Sequence, residues 1–253
     1  MQHERRYGSL SWRGQVGAID GIDIPQRNPG KAVPNPNRYY VERKSGHMLL
    51  CIAICDAHRR FLWYDISHEP NSHDSLAWAG TKLGSTIKDR LPSPLFLNGD
   101  NAFVQETHMV VPMNDSDFDF YHSSNRMAVE CAFGILVRRW GVFWRPLEVR
   151  FGRRAPLIGA AMRLHNYCID RRISVELNQR AGCSEIQPRV WMPTPKFDDD
   201  GRPIDFLNTG DHSAIPINKT AMRTALQDAL RDAGLKRPGE STRAGVLRAR
   251  GLA

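Results

Sequence analysis

The sequence predicts an α/β fold, and three observations predict it. Short apolar runs alternate with helical patterns up to about residue 170. One run, "HMLLCIAIC" (His47 to Cys55), is almost continuously apolar, as a strand buried on both faces is. Two others, "VGAID" (Val16 to Asp20) and "PLFLNGD" (Pro94 to Asp100), each end in an aspartate beside a glycine.

In chain order, "VGAID" reads as a buried strand that delivers Asp20 to its C-terminal end. Residues 25–38 hold four prolines among asparagines and read as a loop. The His47 to Cys55 run is the central strand. "DAHR" is a turn, and "RFLWYDIS" (Arg60 to Ser67) alternates as the returning strand of a hairpin would. Residues 75–90 are helical in pattern. Pro94 to Asp100 is a further short strand. "MAVECAFGILVRRW" (Met127 to Trp140) lies on a helix that Ser123 or Ser124 can cap. "APLIGAAMRLHNYCID" (Ala155 to Asp170) reads as another amphipathic helix.

After about residue 176 the character changes. "QPRVWMPTPKFDDDGRP" is Pro-rich and polar, as an extended arm is, and Asp198, Asp199 and Asp200 read as a solvated loop. "KTAMRTALQDALRDAGL" is a helix with Gly234 as its stop. The last residues carry Lys236, Arg237, Arg243, Arg248 and Arg250 against Glu240, a composition that favours disorder. The expected organisation is a short segment 1–15, one domain over 16–175 and an extension over 176–253.

The chain has 253 residues, 41% of them apolar, enough for a sizeable core. Lys plus Arg number 35 against 27 Asp plus Glu, a net charge of +8 that suits a polyanionic partner, most simply nucleic acid. Five cysteines, Cys51, Cys55, Cys131, Cys168 and Cys183, form no CxxC pair and read as reduced thiols. No signal peptide and no run long enough to span a membrane is visible, so an intracellular protein without membrane contact is expected.

Two strand ends in Asp-Gly pairs and a helical glutamate, Asp20, Asp100 and Glu130, can bring three carboxylates to one edge of a sheet. Converging carboxylates repel, and one keeps its proton unless a cation joins them. Mg2+ or Mn2+ suits such an all-oxygen set. Two such ions about 4 Å apart activate a water and stabilise the leaving oxygen of a phosphodiester. Each acid also has an ordinary reading. Asp20 and Asp100 can start turns with their glycines, and Glu130 can pair with Arg126 one helical turn earlier.

Several blocks resemble the DDE superfamily endonucleases of the Harbinger (PIF) transposase type and their domesticated relatives. "VGAIDGIDIP" resembles the first acidic block, "LFLNGDNAF" the second and "NRMAVECAFGILVRRW" the third. "YYVERKSGHMLLCIAICDAHRRFLWYDIS", "EPNSHDS" and "RLHNYCID" resemble the hairpin, His-Asp-Ser and Leu-His-Asn segments. The match runs in order over roughly residues 7–175. The chain departs from the family pattern at "NAFV" after Asp100, at Asn71 and at Cys131.

The resemblance implies a ribonuclease H-like fold, a mixed central sheet with helices on both faces. It implies a Mg2+- or Mn2+-dependent nuclease, using two ions, that cuts and rejoins DNA. Asp20, Asp100 and Glu130 map onto the family's metal-binding catalytic acids, and Gly134 would leave room beside Glu130 for a phosphate. The basic run Arg138, Arg139, Arg145, Arg150, Arg153 and Arg154 suits backbone phosphates, with Trp140 and Trp144 interleaved or serving as core anchors. Arg43, Lys44 and Arg126 are further candidates for phosphate contact. His73 and Asp74 are candidates for orienting the metal ligands from just outside. Turn chemistry explains Asp23 and Asp56 more simply than metal binding, and His165 reads as a satisfied histidine.

"HEPNSH" is no zinc-protease motif, because His68 and His73 are five apart and Pro70 breaks the helix between them. Family members usually carry a helix-turn-helix region before the nuclease. The resemblance implies either that such a region belongs to a longer gene product or that DNA targeting comes from elsewhere, for which a Myb-like partner protein supplying DNA binding and nuclear entry is expected. The nucleus is the expected compartment, with the cytoplasm before assisted import, and a homo-oligomer is compatible. The alternative is a catalytically decayed or domesticated module that binds DNA or protein. A ribonuclease acting on RNA–DNA hybrids would share the fold but not these blocks.

Overall fold

One long apolar strand, buried on both faces, organises the molecule. A computed structural model describes residues 14–171, 219–232, 234, 236 and 237. Its strands are β1 (Gln15–Gln26), β2 (Tyr40–Val41), β3 (Gly46–Cys55), β4 (Phe61–Asp65), β5 (Phe96–Asn98) and β6 (Met109–Val110). Its helices are α1 (Asp74–Gly80), α2 (Lys82–Arg90), α3 (Ser116–Arg139), α4 (Phe151–Asp170) and α5 (Lys219–Asp232).

All six strands join one sheet in the order β2-β3-β1-β5-β6, with β4 also paired to β3. The β1–β3, β3–β4 and β2–β3 pairs are antiparallel, whereas β1–β5 and β5–β6 are parallel. Successive side chains of a strand point to opposite faces. Leu49, Cys51, Ala53 and Cys55 of β3 therefore meet α3 and α4 through Val129, Ala132, Phe133, Leu136, Ile158 and Met162. Leu50, Ile52 and Ile54 meet α1 and α2 through Ala77, Trp78 and Ile87. Burial on both faces explains why β3 is apolar at nearly every position. A third cluster joins Leu226 and Leu230 of α5 to Phe96, Val110, Phe118 and Tyr121.

Several elements differ from the sequence expectation. β1 does not stop at Asp20 but continues to Gln26, because it pairs with β3 from Ala18↔Cys55 to Gln26↔His47. The expected loop therefore begins two residues late, and Asp20 lies in mid-strand. The helix over 75–90 is two helices. Thr81 takes an extended conformation between them, and its side chain accepts the Gly84 N–H at 2.9 Å. The cap of α3 is not Ser123 or Ser124 but Asp115, which accepts from the backbone of Asp117 and Phe118 at 3.0 and 2.9 Å. β6 is too short to signal itself in the sequence.

The Asp56 to Arg60 turn closes as expected, with Asp56 accepting the Arg60 N–H at 2.9 Å. Gly234, at φ +64°, ends the last helix. Cys51 and Cys55 are buried thiols, and Cys131 and Cys168 are partly buried and free. Among the described residues no helix is long and apolar enough to cross a membrane. The Pro-rich arm, Cys183, Asp198 to Asp200 and the tail from Arg243 onward lie outside the described residues.

Candidate active site

The parallel pairing of β1 with β5 ends at Ala18↔Asn98. Asp20 and Asp100 each lie two residues beyond that pair. Both acids thus emerge where the parallel ladder stops, although β1 itself runs on against β3. Asp20 shares its strand face with Ala18 and Ile24, which pack toward α3 and α4.

α3 settles on that face through Val129, Ala132, Phe133 and Leu136, spaced at i, i+3, i+4 and i+7. This seating carries Arg126 and Glu130 to the rim of the face. Arg126 Nη1 donates to Asp20 Oδ2 at 3.0 Å, and its Nη2 pairs with Glu130 Oε1. The other Asp20 oxygen accepts the Gly21 N–H at 2.8 Å. The Asp20 side chain is 17% exposed and that of Glu130 48%. Burial pushes the Asp20 carboxyl up to about 6, the Gly21 N–H and Arg126 pull it down, and the negative charges of Asp100 and Glu130 add to the rise. Asp20 therefore lies in the fields of both Asp100 and Glu130.

Asp100 is held by a tight turn, in which its carboxylate accepts the Ala102 N–H at 2.9 Å and its carbonyl accepts the Phe103 N–H at 3.2 Å. Phe103 is buried beneath it. A fourth carboxylate approaches from the other face of β1. A side-chain carbon placed on Gly21 would lie 3.1 Å from both oxygens of Asp74, so the absence of a side chain admits Asp74 to the strand. Burial holds the Asp74 carboxyl above its ordinary range, and Asp100 and then Asp23 push it further in the same direction. Its neighbour His73 is exposed at the start of α1. The site thus straddles the free edge of β1, with Asp20 and Glu130 on one face, Asp74 on the other and Asp100 at the strand end.

The oxygen-only donor set fits a hard divalent cation. As the side chains lie, however, no group of three His, Cys, Asp or Glu among the described residues closes on a common point. Arg126 instead supplies the positive charge between Asp20 and Glu130.

The other candidate residues divide by exposure. Arg43 and Lys44 both reach Asp23 Oδ2, at 2.9 and 3.0 Å, while the Asp23 side chain is only 4% exposed. Arg126 spends its guanidinium on the two acids. Arg138 and Arg145 are exposed, and Arg139 is half-buried. Arg154 is not on the surface as the basic run suggested. It is 5% exposed and donates to Gln26 Oε1 and to the carbonyls of Arg27 and Val149, tying the end of β1 to α4. Gly134 faces open space. Trp140 packs against the core, whereas Trp144 is 71% exposed with its indole N–H on the Val137 carbonyl at 2.9 Å. His165 is buried with Nε2 2.8 Å from the Arg59 carbonyl oxygen, but its Nδ1 is buried without a hydrogen-bond partner among the described residues, so it is only half satisfied.

Sequence reasoning read Gly21 as a turn residue and missed its role in admitting Asp74. The Arg126–Glu130 spacing was legible, but the reach of Arg126 to Asp20 depends on how α3 seats against the sheet.

Comparison with known proteins gives the family of the chain. Three curated relatives are each named "Putative nuclease HARBI1". The protein from Rattus norvegicus is 23% identical over 195 residues, covering 72% of this chain and 54% of its own length. That from Homo sapiens is 22% identical over 191 residues, with the same coverage. That from Xenopus laevis is 24% identical over 191 residues, covering 69% and 52%. The chain spans about half the length of the curated relatives it matches. No solved structure matches it significantly. A family model described as DDE superfamily endonuclease matches residues 19–166, which is more than half of the chain and includes Asp20, Asp100 and Glu130. The chain belongs to the DDE superfamily endonuclease family.

Proposed function

We propose that the protein is a divalent-metal-dependent DNA endonuclease of transposase type on a ribonuclease H-like fold. The observation that carries this reading is the equal two-residue offset of Asp20 and Asp100 beyond the Ala18↔Asn98 pair, with Glu130 brought beside Asp20 by α3. Asp20, Asp100 and Glu130 would hold Mg2+ or Mn2+, in two ions. When bound, these ions supply an activated water and stabilise charge on the departing 3′-oxygen.

The chain's own residues do the rest. The Gly21 N–H fixes one oxygen of Asp20, and Arg126 holds the other. Arg126 balances the carboxylates in their present arrangement. Burial on both sides of β1 keeps the ligand-bearing strand rigid, as a site on a sheet needs to be. The open space at Gly134 keeps the helix surface beside Glu130 clear for a phosphate. The exposed Arg138 and Arg145 lie beyond it, toward the C-terminal end of α3, where they suit backbone phosphates.

The test is nicking of supercoiled plasmid in Mg2+ or Mn2+ by the wild type, Asp20→Asn and Glu130→Gln. The reading expects metal-dependent nicking that either substitution reduces by at least about a hundredfold, the scale of losing a group that acts in the transition state. Nicking that persists in either variant refutes the assignment. A second reading, a DNA- or protein-binding module without catalysis, draws on one specific observation, the Arg126 guanidinium standing between two of the three acids. It expects no nicking under any metal but retained binding.

A further inference from the structure

Two adjoining cavities share Arg43, and the smaller of them reaches Asp74. One, of about 270 Å3, is lined by Gly21, Asp23, Arg43, Lys44, Ser72 and Asp74 among others, and so opens on the face of β1 that carries Asp74. The other, of about 620 Å3, is lined by Asn37, Tyr40, Val41, Glu42, Arg43 and Asn71. The larger is within the range of small-molecule sites and is wide enough for a nucleoside.

The walls of this cleft are fixed. Asn71 donates its amide N–H to the Tyr40 carbonyl at 2.8 Å, and Arg38, next in the chain to Asn37, pairs with Glu69. Tyr40 is 40% exposed, with its ring set edge-on to His47 at 5.3 Å and 72°. An aromatic ring that is held from one side and open on the other is a stacking platform. Asn37 and Asn71 place amide groups beside it. Between platform and acids stand Arg43 and Lys44, two cations anchored on one carboxylate, Asp23, whose second oxygen is buried without a hydrogen-bond partner. The trio carries a net positive charge where the two cavities meet.

We propose that this cleft is a subsite for one unpaired nucleotide of DNA next to the scissile phosphate. Tyr40 stacks on the base, the amides of Asn37 and Asn71 meet its edge, and Arg43 and Lys44 take the adjoining phosphate. The inference rests on the nuclease reading, and it names which nucleotide contact that site makes. Aromatic stacking tolerates every base, so the subsite positions the strand more than it reads sequence.

The experiment is binding of a single-stranded deoxyoligonucleotide to the full chain in Ca2+ and, separately, in EDTA. Intact oligonucleotides are compared with ones carrying an abasic position, and 2-aminopurine reports stacking. Loss of one stacked base is worth about 5- to 150-fold in Kd. Tyr40→Ala is expected to weaken binding by that much and to abolish 2-aminopurine quenching, whereas Tyr40→Phe binds as the wild type does. The abasic oligonucleotide should bind the wild type no better than the intact one binds Tyr40→Ala. Arg43→Gln should lower the salt slope of binding by about 0.7, one phosphate contact on a single strand. If the wild type binds the oligonucleotide but Tyr40→Ala and the abasic substitution change nothing, the subsite is overturned and the nuclease reading stands. A wild type that neither binds nor nicks any DNA overturns both.

Discussion

Replacing Asp20 by Asn isolates the electrostatics of the site without any substrate. Burial holds the Asp20 carboxyl at about 6 against an ordinary 3.8, and Asp100 and Glu130 push the same way. A carboxyl that binds its proton more tightly in the folded state stabilises the fold while protonated. That contribution is complete below about pH 3.8 and is lost as the pH rises through about 6. The full shift corresponds to about 3 kcal/mol. About 1.3 kcal/mol of it disappears between about pH 5 and about pH 7. Asparagine does not titrate, so Asp20→Asn lacks this part of the slope.

Urea unfolding at a series of pH values in EDTA measures it. Between about pH 5 and about pH 7 the wild type should lose about 1.3 kcal/mol more than the variant does. Saturating Mn2+, which favours the ionised carboxylate, should flatten the wild-type slope and leave the variant's unchanged. Parallel pH profiles for the two proteins would refute the claim that Asp20 is buried against like charges.

Three further outcomes follow from the same geometry. Arg126→Gln removes the cation between Asp20 and Glu130; it should cost about 1–3 kcal/mol, less than a fully buried pair because Glu130 is half exposed, with the larger loss at high pH, read by urea unfolding at two pH values. Gly21→Ala forces Asp74 back by a few tenths of an ångström; it should leave the melting temperature within a few degrees of wild type while lowering metal-dependent plasmid nicking. Thr81→Ala removes the cap that starts α2; it should cost about 1 kcal/mol in urea unfolding and leave Mn2+ binding unchanged.

How much of this was legible before folding differs by element. The His47 to Cys55 run announced a strand buried on both sides, and both helix layers duly cover it. Asp20, Asp100 and Glu130 could be singled out because two lie beside glycines after short apolar runs and the third lies on a basic-ended helix. The length of β1 could not be read locally, since "GIDIPQ" takes its extended form from six paired positions on β3. The break at Thr81 hides in a helical pattern, because a threonine can serve a helix interior or cap the next helix. Arg154 looked like one more member of a basic run, and only the meeting of β1 and α4 makes it a buried donor. Asp74 appeared beside His73 as an undistinguished pair. The sheet face that Gly21 leaves bare is what separates the half-buried acid from the exposed histidine.

The most direct test of the account is anomalous diffraction from crystals of the wild type soaked in Mn2+. The account predicts a peak about 2.1 Å from oxygens of both Asp20 and Asp100, with the Arg126 guanidinium turned away from Glu130. A map at saturating Mn2+ that shows no peak, with Arg126 still bridging Asp20 and Glu130, would contradict it.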